Sequence, residues 1–311
     1  MKHLFIINPA AGGTDRSEAV GAAVAQAFSG RSEDFEVYTT KAPMDAARKI
    51  ALEADLCSAL RVYACGGDGT LNECVCGAVG RENVAVAHYP IGTGNDFVKT
   101  FGEDVGRFRD LPALIDGEVH PLDVIDCNGR ACVNICSVGI DARIGTDVHK
   151  YSEIPVIGGA TGYVTSLAVN LAKGVRTQMH VVCNGKLYYG DMTLICCCNG
   201  SYYGGGFHPV PEARPDDGVL DFLIAKGVSR LSFLRIVGAY AKGRYADYPK
   251  VLTHLRSDSM EITSEREMVV NVDGEAIYAR RLSLRLRPKA LNFIVPAGLS
   301  YFRTQEPCQN Q

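Results

Sequence analysis

The sequence predicts an α/β protein in two parts, a doubly wound α/β domain at the N-terminus followed by a mainly antiparallel β-sandwich domain. In the first part, short apolar runs alternate with stretches of helical periodicity, which is the pattern of a parallel sheet. In the second part, short β-type runs are separated by Asn-Gly and Asp-Gly pairs, which favour hairpins. The length of 311 residues fits two domains of ordinary size.

The N-terminal elements follow one another in a regular βα order. Apolar runs predict strands at residues 4–7, 35–38, 61–64 and 84–87, and helical spacing predicts helices at 15–28, 45–56 and 71–79. Loops that contain glycine follow the first, third and fourth of these strands. In a parallel sheet such loops lie at the carboxyl edge, where ligands bind.

The second part begins near residue 122, where the pattern of the sequence changes. Turn pairs occur at residues 128–129, 184–185, 217–218 and 273–274, and helices are predicted at 160–173 and 229–243. We therefore predict an α/β domain over residues 1–121 and a β-rich domain over residues 122–290. The segment 291–303, which begins with an apolar run, is long enough to return to the first domain.

Composition narrows the class of protein and its location. A formal charge of −3 and a pI near 6.2 argue against nucleic acid as a partner. No apolar run reaches the roughly 18–20 residues that span a bilayer, and no signal peptide is recognised. We expect a cytoplasmic protein whose membrane contact is peripheral only. The twelve cysteines lie mostly in apolar runs without C-x-x-C pairs, which indicates free thiols rather than disulfides or zinc ligands.

Three glycine-rich turns in the first domain are candidates for phosphate binding. They occupy residues 10–13, 66–70 and 92–94. Glycine lets backbone N–H groups approach an anion, and the helix after such a turn directs its N-terminus at it. One such turn is often only a tight connection, but three in one parallel sheet should converge on the same edge. The sequence therefore indicates a site for nucleotide phosphates.

The type of nucleotide site is narrowed by the motifs that the chain lacks. There is no G-x-x-x-x-G-K-[ST] segment of a P-loop, and Gly92-Thr93-Gly94 lacks the third glycine of a dinucleotide fingerprint. Asp68 lies inside the tightest turn, where its carboxylate would repel phosphates unless a cation lay between them. This favours Mg²⁺ carried by the nucleotide, although a turn-forming Asp-Gly pair is the simpler alternative.

Two motifs closely resemble the diacylglycerol kinase catalytic family, which includes bacterial soluble diacylglycerol kinases, sphingosine kinases and ceramide kinases. They are Gly66-Gly67-Asp68-Gly69-Thr70-Leu71-Asn72-Glu73 and Pro90-Ile91-Gly92-Thr93-Gly94-Asn95-Asp96-Phe97. The first motif alone is also similar to turns of NAD kinases and phosphofructokinases, whereas the two together are specific. Further similar segments, which extend the resemblance over nearly the whole chain, are Asn8-Pro9 with Gly12-Gly13, Arg214-Pro215-Asp216-Asp217-Gly218 and Val272-Asp273-Gly274-Glu275.

The resemblance implies Mg²⁺-dependent transfer of the γ-phosphoryl group of ATP to a hydroxyl of a diacylglycerol-like lipid at the membrane surface. The positions implied to contact ATP are Asn8, Thr40, Gly66, Gly67, Asp68, Gly69, Thr70, Asn72 and Thr93. Asp273 matches the general base of the family, and Glu275 is a second carboxylate that can assist it. From the residues alone, Asp273-Gly274 is an ordinary turn, and Thr40 is equally well a helix cap.

The resemblance also implies two positions for Mg²⁺. Asp68 would contact the ion that accompanies the nucleotide. Arg214, Asp217 and Val219 would bind a structural ion, which Asp123 would join through water. Mixed carboxylate and carbonyl oxygens suit a hard cation. Without the resemblance, residues 215–218 indicate only a surface turn, in which we expect Asp216 to be solvated.

The acceptor and the oligomeric state are left open by the sequence. A sphingoid base, ceramide, phosphatidylglycerol or a soluble acceptor such as NAD is an alternative acceptor, and a non-catalytic binding protein on the same fold is an alternative function. A homodimer is compatible with the sequence. The apolar residues of the stretch 151–173 can line an acyl pocket, and ordinary core packing explains them equally well.

Overall fold

The computed structural model describes residues 1–152 and 159–303, and the chain divides into two compact units. The first unit contains Met1–Asp123 and the described residues 289–303, and the second contains Val124–Pro288. The strands are β1 (Lys2–Ile7), β2 (Asp34–Thr39), β3 (Leu60–Gly66), β4 (Val84–Pro90), β5 (Glu118–Cys127), β6 (Arg130–Cys132), β7 (Ile135–Gly139), β8 (Thr177–Cys183), β9 (Lys186–Cys198), β10 (Leu220–Lys226), β11 (Leu252–Ser257), β12 (Ser259–Val272) and β13 (Glu275–Val295). The α-helices are α1 (Ser17–Ala27), α2 (Asp45–Leu56), α3 (Asp68–Ala78), α4 (Asp96–Lys99), α5 (Leu111–Ile115), α6 (Ile140–Ser152), α7 (Gly159–Lys173), α8 (Arg230–Tyr240) and α9 (Ser300–Arg303).

The first unit is built on a parallel sheet in the order β2–β1–β3–β4, and Asn292 and Phe293 of β13 pair in parallel beside β4. Ile7 lies opposite both Thr39 and Cys65, and Gly66 lies opposite Pro90. Because the strands end at the same level, the loops after β1, β3 and β4 leave the sheet at one edge. The parallel α/β class predicted for this part is confirmed.

Apolar runs on the central strands fill the core of the first unit. Residues 4–7 of β1 and most of β3 are fully buried, as expected for a parallel sheet whose strands are covered on both sides. The rings of Phe5 and Tyr63 stack with their centroids 4.2 Å apart, and Phe28 packs edge-on to Phe5. The sequence predicted α3 to begin at residue 71, but the helix begins at Asp68, so that the Asp-Gly-Thr segment is its first turn.

The second unit is an antiparallel sheet in the order β11–β10–β9–β7–β12–β13, as the hairpin pattern predicted. β8 also pairs with both β9 and β12. On β9, residues 194–198 pair with β7 and residues 186–192 with β8, on the side opposite β10. On β12, residues 270–272 pair with β7 and residues 260–263 with β8. β7 and β8 therefore lie end to end between β9 and β12.

Both faces of this second sheet are covered by apolar residues, which explains the run Cys196-Cys197-Cys198. Cys197 belongs to one buried cluster with Ile195 and Val270, whereas Cys196 and Cys198 belong to the cluster on the other face. Each described cysteine is a free thiol, and most are buried. Burial raises the pKa of the Cys65 thiol, which makes it unreactive. Cys308 lies outside the described residues.

One helix of the second unit was not predicted. α6 (Ile140–Ser152) follows β7 directly, at the positive-φ residue Gly139. Its sequence contains Gly145 and several polar residues, so its local preference for a helix is low. Contacts with α7 and β12 stabilise it, which is a case of tertiary packing overriding local preference.

Two helical glycines give a test of the packing between α2 and α3. A β-carbon on Gly77 would lie 2.8 Å from the Ala47 carbonyl oxygen and 3.0 Å from Ile50 Cβ, whereas one on Gly21 would meet nothing within 4 Å. We expect Gly77→Ala to lower the free energy of unfolding by roughly 1–3 kcal/mol through overpacking. Gly21→Ala, the matched control, should raise it by roughly 0.4–1 kcal/mol. Urea denaturation of both variants measures this, and equal stabilities would contradict the packing described.

Candidate active site

The three glycine-rich turns meet at the carboxyl edge of the first sheet. A β-carbon on Gly12 would lie 2.8 Å from the Ile91 carbonyl oxygen, and one on Gly92 would lie 2.5 Å from Gly67 Cα. Real β-carbons do not come this close to backbone atoms, so these approaches require glycine. The convergence that the sequence predicted is therefore a packing contact between backbones.

The carbonyl of Gly66 connects two of the turns. Its oxygen accepts hydrogen bonds from the backbone N–H groups of Ile91, at 3.0 Å, and Gly92, at 3.2 Å. His88 lies underneath, fully buried, with Nε2 3.2 Å from the same oxygen. Burial lowers the pKa of His88, so the imidazole is neutral and donates its Nε2 proton. Sequence analysis did not identify His88, because a histidine inside an apolar strand carries no motif.

Asp68 opens α3 and faces the third turn. Its Oδ1 accepts a hydrogen bond from Phe97 N at 3.2 Å, and its Oδ2 would lie 2.9 Å from a β-carbon on Gly94. Asp96, whose carboxylate pairs with Lys99 at 2.6 Å, also lies near Gly94. One half-exposed carboxylate beside phosphate-binding amides fits Mg²⁺, which usually takes one or two carboxylates together with waters and phosphate oxygens.

The other residues predicted to contact ATP differ in their exposure and in their contacts. Asn8 Nδ2 donates to Thr70 Oγ1 at 3.2 Å, which joins the end of β1 to the start of α3. Thr40 donates its hydroxyl to the Ile7 carbonyl at 3.3 Å. Gly69 and Thr93 are exposed, and Gly67 is half-buried. Asn72 is buried and accepts a contact from Cys76 Sγ, so it supports the helix from inside.

In the second unit, Asp273 occupies the β12–β13 turn. Asp273 and Gly274 have φ values of +49° and +98°, which is the geometry of a type I′ hairpin. The carboxylate points inward, since only 8% of the residue is exposed. Asp273 Oδ2 accepts a hydrogen bond from Val133 N at 2.7 Å, and Oδ1 accepts from Asn134 N at 3.0 Å and Ile135 N at 3.1 Å.

This geometry gives Asp273 a structural function that the turn motif did not reveal. Three backbone N–H groups and the Cys132 thiol, at 3.1 Å, bind one carboxylate, which fixes the segment that leads into β7. Most of its acceptor capacity is used inside the protein. Glu275, two residues along, is exposed. The same hairpin therefore holds one anchored carboxylate and one accessible carboxylate.

The residues predicted for a structural Mg²⁺ make other contacts. Asp217 Oδ2 forms an ion pair with Arg256, and its Oδ1 accepts from Val219 N at 3.3 Å. Arg214 pairs with Asp216 at 3.2 Å, so Asp216 is largely buried rather than solvated. These contacts place a guanidinium at the carboxylate that would bind the ion. The described residues contain no cluster of three or more His, Cys, Asp or Glu side chains that could hold a metal ion. Because the predicted site depends on the backbone carbonyls of Arg214 and Val219 as well as on Asp217, the structural Mg²⁺ stays a prediction.

Asp123 belongs to the first unit and is also engaged. Its Oδ1 accepts a hydrogen bond from Lys289 N at 2.8 Å, which ties the end of β5 to the returning part of β13. The residue is 1% exposed. Its visible function is therefore to fix that return, and the water-mediated link to a metal stays a prediction.

An apolar cavity lies in the second unit between the sheet and its helices. Its lining residues come from β9, β10, β11, α6, α7, α8 and the segments that connect them: Asp141, Ile144, Leu167, Thr193, Leu194, Phe207, Ala225, Val228, Phe233, Ile236, Val237, Tyr240, Val251 and Leu252. Of the apolar stretch 151–173, Leu167 lines this cavity, while residues 153–158 lie outside the described part. The free volume is about 30 Å³, so side chains nearly fill the cavity.

Asp141 brings a polar group to the cavity. Its Oδ2 is buried and has no hydrogen-bond partner among the described residues. Burial raises the pKa of Asp141, although hydrogen bonds from Ser137 and Tyr203 oppose this. Tyr203 and Tyr240 share a hydrogen bond of 2.6 Å beside it. An apolar cavity with a few convergent polar groups is typical of a small-molecule site.

Comparison with known proteins decides the family. Residues 2–127 match the family model of the diacylglycerol kinase catalytic domain, and residues 134–295 match the YegS C-terminal NAD kinase beta sandwich-like domain. A protein of Pseudomonas aeruginosa PAO1 named "Probable lipid kinase YegS-like" is 30% identical over 92% of this chain and 93% of its own length. The chain belongs to the YegS and diacylglycerol kinase family of lipid kinases.

Other relatives of this lipid kinase family member agree. The protein named "Diacylglycerol kinase" from Bacillus subtilis strain 168 is 26% identical over 88% of this chain and 90% of its own. A Bacillus anthracis crystal structure provisionally described as a diacylglycerol kinase has a TM-score of 0.74 and 25% identity, and covers 96% of this chain and 98% of its own. The two-part fold class predicted from sequence is confirmed. None of the described helices combines the length and apolar character needed to span a bilayer.

The contact between Gly67 and Gly92 gives a test of the nucleotide edge. We expect Gly92→Ala to push the two turns apart, which lowers the free energy of unfolding by roughly 1–3 kcal/mol and weakens nucleotide binding. Gly69→Ala adds a methyl group where nothing lies within 4 Å, so stability should rise slightly, by roughly 0.4–1 kcal/mol, as for Gly21→Ala. If phosphates bind at this turn, that methyl should still weaken nucleotide binding. Thermal unfolding and calorimetric titration with Mg²⁺-ATP measure both effects, and full binding by both variants would contradict the site.

Proposed function

We propose that this lipid kinase family member transfers the γ-phosphoryl group of ATP to a hydroxyl of a diacylglycerol-like lipid. The observation that carries the proposal is the convergence of three glycine-rich turns on the N-terminus of α3, where Asp68 lies. Backbone N–H groups and the helix dipole there favour phosphates. The acceptor class is supported by the names of the relatives and by the apolar cavity of the second unit.

On the nucleotide side, the chain contributes positioning and charge. The glycine turns bring N–H groups toward the phosphates, and Gly66 and His88 hold two turns in register. Asp68 would hold the Mg²⁺ that neutralises phosphate charge during transfer. Since phosphoryl transfer proceeds through a loose transition state, such positioning accounts for most of the catalysis.

On the acceptor side, the cavity beside Asp141 supplies an apolar surface for an acyl chain. Side chains nearly fill this cavity, so an acyl chain can occupy it only if α7 or α8 moves away from the sheet. Asp141 and the Tyr203–Tyr240 pair supply hydrogen-bonding groups at its wall for the polar end of the lipid. Apolar lining favours a lipid over NAD, whose charged phosphates would be poorly solvated there.

The general base is proposed to come from the β12–β13 hairpin. The family resemblance assigns the role to Asp273, but its carboxylate already accepts three backbone hydrogen bonds. Glu275 is exposed and can receive the proton of the acceptor hydroxyl without breaking an internal contact. We therefore assign the orienting role to Asp273 and the proton-accepting role to Glu275.

Substitution of each carboxylate distinguishes these roles. Asp273→Asn replaces one acceptor oxygen by an NH₂ group that faces an N–H donor, so we expect the free energy of unfolding to fall by roughly 1–3 kcal/mol. Glu275→Gln should leave stability unchanged and lower turnover by roughly 10²- to 10⁴-fold. The variants are matched because each removes one carboxylate of the same hairpin. If instead Asp273→Asn abolishes turnover at full stability while Glu275→Gln remains active, Asp273 is the base.

A screen of acceptors tests the function itself. The protein is incubated with labelled Mg²⁺-ATP and with diacylglycerol, ceramide, sphingosine or phosphatidylglycerol in mixed micelles, or with NAD in solution. We expect the fastest transfer to diacylglycerol, and none to NAD. Val237→Trp, which fills the cavity, should abolish transfer to lipid while Mg²⁺-ATP binding is retained. Label on NAD alone would replace the proposal with a soluble acceptor, and no transfer at all would indicate a binding protein.

A further inference from the structure

A second cavity of the second unit is polar and lies away from the apolar one. It has a volume of about 380 Å³, which is within the range of small-molecule sites. It lies at the opening of the sheet where β7 ends at Gly139 and β8 begins at Thr177. Neither the glycine turns nor the β12–β13 turn with Asp273 and Glu275 contributes to its lining. Its function is therefore separate from the reaction proposed above.

The wall of this cavity is built by an irregularity in β12. Thr263 pairs with Arg281 and Met268 with Ala279, so residues 264–267 stand opposite Arg280 alone. On the other side of β12, the same four residues face the gap between β7 and β8. A bulge of this size leaves backbone groups outside the ladder and redirects side chains. Bulges of this kind are common next to functional sites.

Four basic side chains from separate segments line the cavity. They are Arg143 of α6, Lys173 at the end of α7, Arg176 just before β8 and Arg266 of the bulge. Such convergence does not arise from one helix face or one charge run. A phosphate group, with several oxygens and a double charge, is the anion that several cations at one cavity suit best.

Of these four basic side chains, Arg143 is the one with a buried donor that lacks a hydrogen-bond partner in the part of the chain that the structure describes. Its Nη2 donates to the Gly174 carbonyl, but its Nε is buried and has no acceptor among the described residues. Burial lowers the pKa of Arg143, which the nearby Asp147 only partly opposes. A buried donor without an acceptor is destabilising, because it has lost its hydrogen bonds to water and gained none in the protein. A bound anion would relieve that cost.

Acidic residues near the cavity reduce its net positive charge and indicate what kind of anion it suits. Asp147 pairs with Lys173 at 3.2 Å and Asp191 with Arg176 at 3.7 Å, both between partly exposed side chains, where ion pairs are weak. Glu265 and Glu267 of the bulge also line the cavity. Their oxygens can accept hydrogen bonds from hydroxyl groups of the ligand. The wall therefore suits a phosphate that carries hydroxyl groups better than a bare anion.

We propose that the cavity between the ends of β7 and β8 binds a phosphate ester of a small polyol, such as glycerol phosphate, through Arg143, Lys173, Arg176 and Arg266. A ligand of this kind can be a free phosphate ester in solution or the headgroup of an anionic phospholipid. The site requires neither transfer of phosphate nor nucleotide. It would let such a ligand bind the second unit independently of catalysis.

The test uses the full chain and two sets of probes. Glycerol 3-phosphate and inorganic phosphate are titrated by calorimetry, and vesicles of phosphatidylcholine with or without phosphatidylglycerol are tested by co-sedimentation. Arg266→Gln is the main variant, since Arg266 is exposed and its loss should not disturb folding. Arg143→Gln is the second variant. Arg235→Gln, an exposed α8 residue outside the cavity lining, is the control with the same change in charge.

We expect Arg266→Gln and Arg143→Gln to weaken binding about tenfold to a hundredfold, as for loss of a charge-assisted contact, and Arg235→Gln to leave it unchanged. Binding of glycerol 3-phosphate in solution with this pattern identifies a free ester as the ligand. Binding only to phosphatidylglycerol vesicles with the same pattern identifies the headgroup. The proposal is overturned if no probe binds, if Arg266→Gln binds like the natural protein, or if Arg235→Gln weakens binding equally. If the anion bound at the glycine turns instead, Arg266→Gln would bind it like the natural protein.

Discussion

The close approach of two glycine backbones is the contact on which the nucleotide edge depends. A β-carbon on Gly92 would lie 2.5 Å from Gly67 Cα, so position 92 accepts no side chain without displacement, whereas a β-carbon on Gly67 would make an ordinary contact at 3.5 Å. The Gly66 carbonyl, which receives N–H groups from Ile91 and Gly92, holds that approach in place. The start of α3 follows directly, so the position of Asp68 is set by backbone packing more than by any side chain. The arrangement of the turns at this edge is therefore set by backbone contacts rather than by side chains.

The second unit uses a side chain for a comparable purpose. The β12–β13 turn would form from its Asp-Gly pair alone, but the Asp273 carboxylate also replaces ladder partners for three successive N–H groups before β7. A residue that closes one hairpin therefore also secures the neighbouring strand. This dual contact is the structural basis of the orienting role proposed for Asp273.

The sequence predicted the fold class well because each unit carries a clear local signal. Continuous apolar runs such as residues 4–7 mark strands buried on both sides, and Asn-Gly or Asp-Gly pairs mark hairpins. Gly145 and the polar residues of its sequence concealed α6, whose stability comes from tertiary contacts. Glycine turns indicated where phosphates would bind, because glycine is recognisable in a sequence.

Contacts between distant residues could not be predicted in the same way. The burial of His88 beneath Gly66 depends on the pairing of β3 with β4, and the ion pair of Asp217 with Arg256 joins residues 39 positions apart. The inward orientation of Asp273 also depends on the segment 132–135, far away in the chain. Motifs specify residue types at local spacing, whereas the orientation of a carboxylate depends on partners that the motif does not contain.

The end-to-end placement of β7 and β8 has a consequence for how this fold can change. The chain leaves the sheet after Gly139 and re-enters at Thr177, while β9 and β12 continue past both points. The register of the flanking strands is set on either side of this departure, so it does not depend on the length of what lies between. The segment that contains α6 and α7 can therefore change in length or sequence without changing the register of these strands. Insertions or exchanges there can alter which molecules the protein accepts while the surrounding framework stays the same.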